Sequence, residues 1–255
     1  MSLCATTTAL IDAASAPYRA VDLFGYYRAR GKLRGDPAFT EILREGLLVG
    51  SERILDLGCG QGLLAAWLVA ARRSNDERPH LWPAEWLAAP RPTSFRGIEL
   101  SRQDVQRARG ALGARAEFEV GDITKTDFGT VDAIVILDVL HYVDYHSQLR
   151  VLDRARAALA SGGVLLLRVG DAGSGIRFTL GKYIDQTVLL TYHHRTPRVY
   201  CRSAREWQEV LAAGGFKCDA LPMSAGTPFA NIMLIARPRK MARVPRLLAD
   251  SLIAQ

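Results

Sequence analysis

The feature that most constrains this chain is an apolar run that ends in closely spaced glycines. Residues 54–57 are apolar except for Asp56, and an apolar helical pattern covers residues 63–69. Three glycines stand at alternate positions between the two: Gly58, Gly60 and Gly62. Glycine is needed where the backbone bends sharply or touches a ligand, because it has no Cβ. The pattern predicts a buried strand, a tight turn and a helix, with a ligand crevice outside the carboxyl end of the strand.

The rest of the chain alternates short apolar runs with amphipathic segments, which is typical of a parallel sheet with helical crossovers. The expected strands of this kind are residues 53–57, 96–100, 116–120, 132–137 and 164–169. Two more strands, 216–221 and 232–236, follow one another without a helix. We therefore expect an α/β, Rossmann-like fold: a seven-stranded, mostly parallel sheet with a C-terminal antiparallel hairpin and helices on both faces.

Three regions are expected along the chain. Residues 1–50 read as an N-terminal helical cap that contributes to a substrate site, although residues 1–16 are small and polar and are expected to be frayed. Residues 51–240 form the core domain, and residues 241–255 form a basic C-terminal tail. Asp36 and Pro37 suit the N-cap and first position of a helix in the cap region.

Composition sets limits on function. The chain has 255 residues, of which 49% are hydrophobic and 23% charged, as in an ordinary soluble globule. Its net charge of +7 is compatible with binding to nucleic acid, a membrane surface or an acidic partner. The arginines are scattered along the chain, however, which favours a solvated basic surface. We see no apolar run of about 20 residues and no secretory signal pattern. Four cysteines without metal-ligand spacing predict a reducing, cytoplasmic location and no metal site.

The glycine spacing separates this chain from dinucleotide-binding proteins, whose fingerprint is G-x-G-x-x-G. The sequence D-L-G-C-G-Q-G at residues 56–62 instead resembles the first motif of class I S-adenosylmethionine-dependent methyltransferases. This resemblance implies that the cofactor is S-adenosylmethionine and that the product is S-adenosylhomocysteine. It also implies cofactor contacts from the residues of the turn, which are Asp56, Gly58, Cys59, Gly60 and Gly62.

Three further positions match the same family. Glu99 ends the second expected strand, where a carboxylate can accept hydrogen bonds from both ribose hydroxyls, and Leu100 follows it. By resemblance, Asp122 binds the adenine amino group beside the apolar Ile123. Asp138 ends the fourth strand, where the methionine part of the cofactor and the acceptor substrate are expected to meet.

The acceptor class follows from the segment after strand four. D-V-L-H at residues 138–141 is similar to the motif of many small-molecule methyltransferases, and lacks the N/D-P-P-Y/F and Pro-Cys motifs of nucleic-acid enzymes. Residues 16–33 and 226–231 faintly resemble methyltransferases of bacterial aryl-polyene and related pigment clusters. This resemblance implies a phenolic or acyl intermediate of secondary metabolism, either free or bound to an acidic carrier protein. Nucleic acid is not expected as a partner, and no feature predicts an oligomeric state.

Candidate catalytic and substrate residues are aromatic, basic or both. A general base would take or steer a proton from the acceptor, and the unperturbed pKa of histidine lies near neutrality. The candidate bases are His141, His193 and His194. The candidate substrate contacts are Tyr27, Arg28, Tyr142 and Tyr200.

Two alternatives remain open from the sequence. One is a methyltransferase that acts on RNA through the basic surface, for which steep salt dependence of binding would be the signature. The other is a non-catalytic scaffold protein that retains the cofactor site. His141 and the histidine pair also have an ordinary structural interpretation, as packing or loop residues.

Overall fold

The computed structural model describes residues 3–174, 199–224 and 230–239. Seven strands form one sheet: β1 (Arg53–Leu57), β2 (Ser94–Glu99), β3 (Glu117–Val120), β4 (Val131–Leu137), β5 (Leu159–Gly170), β6 (Phe216–Pro222) and β7 (Asn231–Pro238). Their order is β3-β2-β1-β4-β5-β7-β6. Neighbours from β3 to β5 are parallel, while β7 runs antiparallel to both β5 and β6. The predicted Rossmann-like sheet with its C-terminal hairpin is confirmed.

Within the described residues, seven α-helices surround this sheet: α1 (Leu3–Ser15), α2 (Leu23–Gly35), α3 (Pro37–Arg44), α4 (Leu63–Glu77), α5 (Arg102–Leu112), α6 (Tyr145–Ala158) and α7 (Ala204–Ala213). Short 3-10 turns cover Ala16–Ala20, Pro79–Leu81, Gly113–Arg115, Leu140–Tyr142 and Ala172–Ser174. Polar N-caps explain several helix starts, because a side-chain oxygen accepts a free N–H of the first turn. These caps are Asp22, Asp36, Ser101, Asp144 and Ser203.

The core consists of two apolar layers, one on each face of the sheet. Successive residues of a strand point to opposite faces, so Ile54 of β1 packs in the layer of α1 to α5, whereas Leu55 packs in the layer of α6 and α7. The central strands supply both layers, which is why their sequences are almost continuously apolar. Residues of the expected helical cap, such as Leu33 and Ile42, share the first layer with Trp67 of α4.

The expectation that residues 1–16 are frayed is wrong for the part of this segment that the structure describes. Leu10 and Ala14 are each 1% exposed, and α1 packs against α4. The small residues conceal an apolar face, formed by Leu10, Ile11 and Ala14 at helical spacing. No helix in the described ranges is both long and apolar enough to span a bilayer.

Candidate functional site

The segment Gly58–Gly62, called the glycine turn below, joins β1 to α4. Gly58, Gly60 and Gly62 all have positive φ angles, of 76°, 54° and 79°. A Cβ on Gly58 would lie 2.3 Å from Cγ2 of Val139, and one on Gly62 would lie 2.8 Å from Cζ of Phe118. A Cβ on Gly60 would meet no described atom within 4 Å. Packing therefore excludes larger residues at the two outer glycines, whereas the middle glycine borders open space.

Glu99 lies directly beside this turn. Its Oε2 accepts a hydrogen bond from the Gly60 N–H at 3.0 Å, and its Oε1 accepts one from the Ser101 N–H at 2.9 Å. The carboxylate therefore joins the glycine turn to the start of α5. Because each carboxylate oxygen has a second acceptor site, Glu99 keeps the capacity to bind two further hydroxyl groups.

Asp56 and Cys59 lie beneath the turn. The Asp56 side chain is almost fully buried, and this burial, together with the nearby charge of Glu99, raises its pKa to about 8. Asp56 is therefore largely protonated at neutral pH. Burial also raises the pKa of the Cys59 thiol, so it is not a reactive thiolate. Both side chains are covered by protein in the structure.

An apolar surface continues from Glu99 along the ends of β2 and β3. Leu100 is 69% exposed and Val120 is 43% exposed, and the strand register sets Glu99 beside Val120. Ile123 is buried behind this surface. Exposed apolar side chains next to a carboxylate suit a flat ligand with hydroxyl groups at one end.

Asp122 lies in the loop after β3, and its Oδ1 accepts hydrogen bonds from the N–H and hydroxyl of Thr124 at 2.9 and 2.7 Å. Burial raises the pKa of Asp122, but the Thr124 hydrogen bonds and the nearby Lys125 outweigh it and hold the pKa below its ordinary value. Asp122 is thus ionised, with one oxygen engaged in the local turn.

Asp138 at the end of β4 belongs to a cluster of two acids and two bases that the sequence did not predict. Its Oδ1 accepts a hydrogen bond from Nε of Arg168 at 2.8 Å, and its Oδ2 lies 3.4 Å from Nζ of Lys32. Asp36 pairs with the same two cations. Arg168 is 2% exposed, and its charge and that of Lys32 hold the pKa of both acids below the ordinary range, despite burial. Asp138 also has a φ of 60°, a strained conformation for a residue other than glycine.

The signal for this cluster was present in the sequence. Arg168 is the one charged residue in the apolar run at 164–169. A charge in a buried strand needs a partner of opposite sign, whereas the sequence around Asp36 predicts only a helix cap.

His141 lies in the 3-10 turn that follows Asp138. Its Nε2 is buried and has no hydrogen-bond partner among the described residues, and its ring lies 3.9 Å from that of Tyr142. Burial lowers the pKa of His141 against the opposing effect of Asp138, so the imidazole is neutral at neutral pH. Val139, which precedes it, is the residue that abuts Gly58. The residue just before this 3-10 turn therefore lies against the glycine turn.

Gln148 of α6 connects the His141 region to the chain before α7, and sequence reasoning missed it. Its Nε2 lies within hydrogen-bond distance of the carbonyl oxygens of Leu140 at 3.0 Å and Tyr200 at 2.8 Å, and Arg202 donates to its Oε1. The Tyr200 N–H donates to the His141 carbonyl at 2.8 Å. Tyr200 is thus brought beside His141. The available signal was a polar residue on the buried face of an amphipathic helix.

The remaining candidates lie elsewhere. Tyr27 is 66% exposed on α2, and Arg28 pairs with Asp104 of α5 at 2.6 Å. Because Lys32 of the same helix reaches Asp138, α2 extends from α5 to the end of β4. His193, His194 and the tail at 241–255 lie outside the described residues. Across the described ranges, no group of three or more His, Cys, Asp or Glu side chains is arranged to hold a metal ion.

Comparison with known proteins identifies related chains. A family model described as a methyltransferase domain matches residues 26–221. Ribosomal RNA large subunit methyltransferase G of Streptomyces griseus subsp. griseus is 34% identical over 122 residues, which make up 48% of this chain and only 27% of that protein.

Solved structures give the same fold at low identity. An O-methyltransferase family protein from Burkholderia thailandensis has a TM-score of 0.59 and 16% identity, and the match covers 88% of this chain and 63% of that one. Human N-acetylserotonin methyltransferase, solved in complex with S-adenosylmethionine, has a TM-score of 0.55 and 16% identity, with 89% of this chain and 56% of that one covered. At these identities the likeness shows the fold alone.

Proposed function

We propose that this chain, which belongs to the methyltransferase-domain family, is an S-adenosylmethionine-dependent methyltransferase whose acceptor is a small molecule with a phenolic hydroxyl or an acyl group. The observation that carries this proposal is the neutral, buried imidazole of His141, whose Nε2 has no partner among the described residues. This imidazole follows Asp138 in a segment that packs against the glycine turn. Such a base suits an acceptor that loses a proton on methylation.

The residues around the crevice fit S-adenosylmethionine. We assign the ribose hydroxyls to Glu99, whose oxygens retain acceptor capacity, and the adenine to the surface formed by Leu100, Asp122 and Ile123. The open space beside Gly60 admits the cofactor to the glycine turn. Asp138 borders the methionine part. When bound, the cofactor supplies a methyl group already activated by its sulfonium.

The protein must then align the acceptor and exclude water, and alignment of this kind supplies about 7–11 kcal/mol in favourable cases. His141 Nε2 would accept the proton of the acceptor hydroxyl as the methyl group passes from the sulfur of the cofactor to the hydroxyl oxygen. Asp138 favours the protonated imidazole, because its charge raises the pKa of His141. The ring of Tyr142 packs on that of His141 and would orient an aromatic acceptor, whereas the ring of Tyr200 packs on Tyr145. The products are the methylated acceptor and S-adenosylhomocysteine.

RNA is the second candidate acceptor, because the Streptomyces griseus relative is a ribosomal RNA methyltransferase and this chain carries a net charge of +7. The match covers only 27% of that protein, so its substrate does not transfer with it. The D-V-L-H sequence at 138–141 favours the small molecule.

Calorimetric titration with S-adenosylmethionine and S-adenosylhomocysteine, followed by transfer of a radiolabelled methyl group, tests the proposal. We expect binding that weakens in Glu99→Ala, and label in phenols or in acyl groups, either free or on a carrier protein. Label in ribosomal RNA, with binding that weakens steeply with salt, would replace the small molecule by RNA. Cofactor binding without transfer to any of these acceptors would favour the scaffold alternative.

A further inference from the structure

Two buried hydrogen bonds join the N-terminal helices to the glycine turn. The Tyr18 hydroxyl donates to the carbonyl oxygen of Gln61 at 2.7 Å, and Nε2 of Gln61 donates to the carbonyl oxygen of Gly25 at 2.9 Å. Tyr18 is 0% exposed and Gln61 is 1% exposed. Gln61 lies between Gly60 and Gly62, within the glycine turn. Its backbone carbonyl and its side chain are both bound by residues that precede the core domain.

The same N-terminal segment is bonded to α5, on the other side of the crevice. Arg107 of α5 donates to Asp22 at 2.8 Å, and Arg28 donates to Asp104 at 2.6 Å. The N–H of Asp104 in turn donates to the hydroxyl of Ser101, whose own N–H donates to Glu99. Residues 18–28 therefore connect the glycine turn with the helix that begins beside Glu99.

A turn built from glycines at every second position is inherently flexible, because glycine loses more backbone freedom on ordering than any other residue. Fixing such a turn before a ligand arrives removes that entropic cost from binding. Gln61 is the residue of the turn whose side chain and carbonyl are both anchored. Its anchors therefore add to the bonds to Ile98 and Glu99 that order the turn in the absence of ligand.

We propose that Tyr18 and Gln61 are positioning residues for S-adenosylmethionine: the bond from the Tyr18 hydroxyl to the Gln61 carbonyl and the bond from the Gln61 side chain to the Gly25 carbonyl hold the glycine turn in its binding conformation. This inference rests on the proposed cofactor site. Under this proposal, residues 18–28 contribute to cofactor binding, in addition to any contact they make with the acceptor.

The variant Tyr18→Phe tests this role, with Trp67→Phe as the matched control. Each removes one buried donor from a backbone carbonyl, since Trp67 Nε1 donates to the Phe39 carbonyl at 2.7 Å, away from the turn. Tyr18→Phe is expected to weaken S-adenosylmethionine binding about five-fold, as for a lost buried hydrogen bond, whereas Trp67→Phe lowers Tm and changes Kd less than two-fold. An unchanged Kd in Tyr18→Phe, or an equal loss in both variants, would overturn the proposal.

Hydrogen exchange of the wild-type protein tests the coupling between residues 18–28 and the glycine turn independently. It does so even if Tyr18→Phe does not fold. On addition of S-adenosylhomocysteine, we expect the amides of residues 18–28 to gain protection together with those of residues 58–62. Protection confined to residues 58–62 and 99–101 would refute the coupling. Absence of protection anywhere, with no heat of binding, would instead refute the cofactor site itself, so the two failures are distinct.

Discussion

Two matched substitutions separate the effect of the glycine turn on folding from its effect on cofactor binding. Gly60→Ala places a side chain at a φ of 54°, and left-handed backbone costs about 1–2 kcal/mol for such a residue. No described atom lies within 4 Å of the new Cβ, so steric overlap adds nothing. Gly58→Ala carries the same strain, but its Cβ would lie 2.3 Å from Val139. Overpacking of this kind adds about 1–3 kcal/mol, for a total of about 2–5 kcal/mol.

Thermal unfolding and calorimetric titration with S-adenosylmethionine measure the two roles. For a chain of this size, about 2–4 °C of Tm is lost per kcal/mol, so Gly60→Ala should lower Tm by about 2–8 °C and Gly58→Ala by about 4–20 °C. Gly60→Ala should nevertheless weaken cofactor binding at least ten-fold, because its methyl group fills space that we assign to the cofactor. Wild-type affinity in Gly60→Ala would refute that assignment. Equal Tm losses in the two variants would refute the packing argument for Gly58.

Three other substitutions test the remaining parts of the site. Glu99→Gln removes the charge that we assign to the ribose, so titration should show S-adenosylmethionine binding weakened about ten-fold or more. His141→Asn should lower kcat by a factor of about 10² to 10⁴ without changing the Kd for the cofactor. The wild-type rate should fall only as the pH drops below about 6.5, because burial lowers the pKa of His141 and the base is active when neutral. Asp36→Asn keeps the cap oxygen of α3 but breaks a buried ion pair with Arg168, which costs about 3 kcal/mol. Since the pKa of Asp36 is lowered on folding, its contribution is present above about pH 4 and is lost on acidification. The Tm of Asp36→Asn should therefore fall less steeply with acid than that of the wild type.

The predictions for Glu99 and Asp36 each have a matched control substitution on the same fold. Glu117→Gln changes an exposed acid of β3 and should leave cofactor binding intact; an equal loss there would show that Glu99 acts only through net charge. For His141→Asn, an unchanged rate would assign the histidine to packing. Asp132→Asn alters the exposed pair with Arg53 and should change Tm little, and a loss as large as that of Asp36→Asn would contradict the role of burial.

Local chemistry explains why much of the fold was predictable. The turn after β1 needs glycine for reasons visible within residues 58–62. The cap at Asp36 is confirmed, because capping depends on neighbours one turn away. The parallel strands followed from their alternation with helices, and the antiparallel hairpin followed from the missing helix before β7. The family resemblance then located Glu99 beside the turn.

The features that the sequence did not predict depend on distant pairs. Arg168 binds Asp36 and Asp138, and Gln148 binds carbonyl groups on two separate segments. No local pattern identifies such partners, since most of them lie tens of residues away along the chain. The helix α1 was missed because small residues carry little hydrophobic signal, yet they pack closely once α4 is present.

The strand order also fixes when this sheet can be completed during synthesis. β7 lies between β5 and β6, although it is the last of the three to be made. Until residues 231–238 leave the ribosome, β5 has an unpaired edge, and β6 has no strand to join. That edge carries Leu165 and Leu167, which pair with Ala236 and Leu234 in the finished sheet. Exposed apolar edges of this kind recruit other strands, so the nascent chain is open to such pairing until β7 joins the sheet.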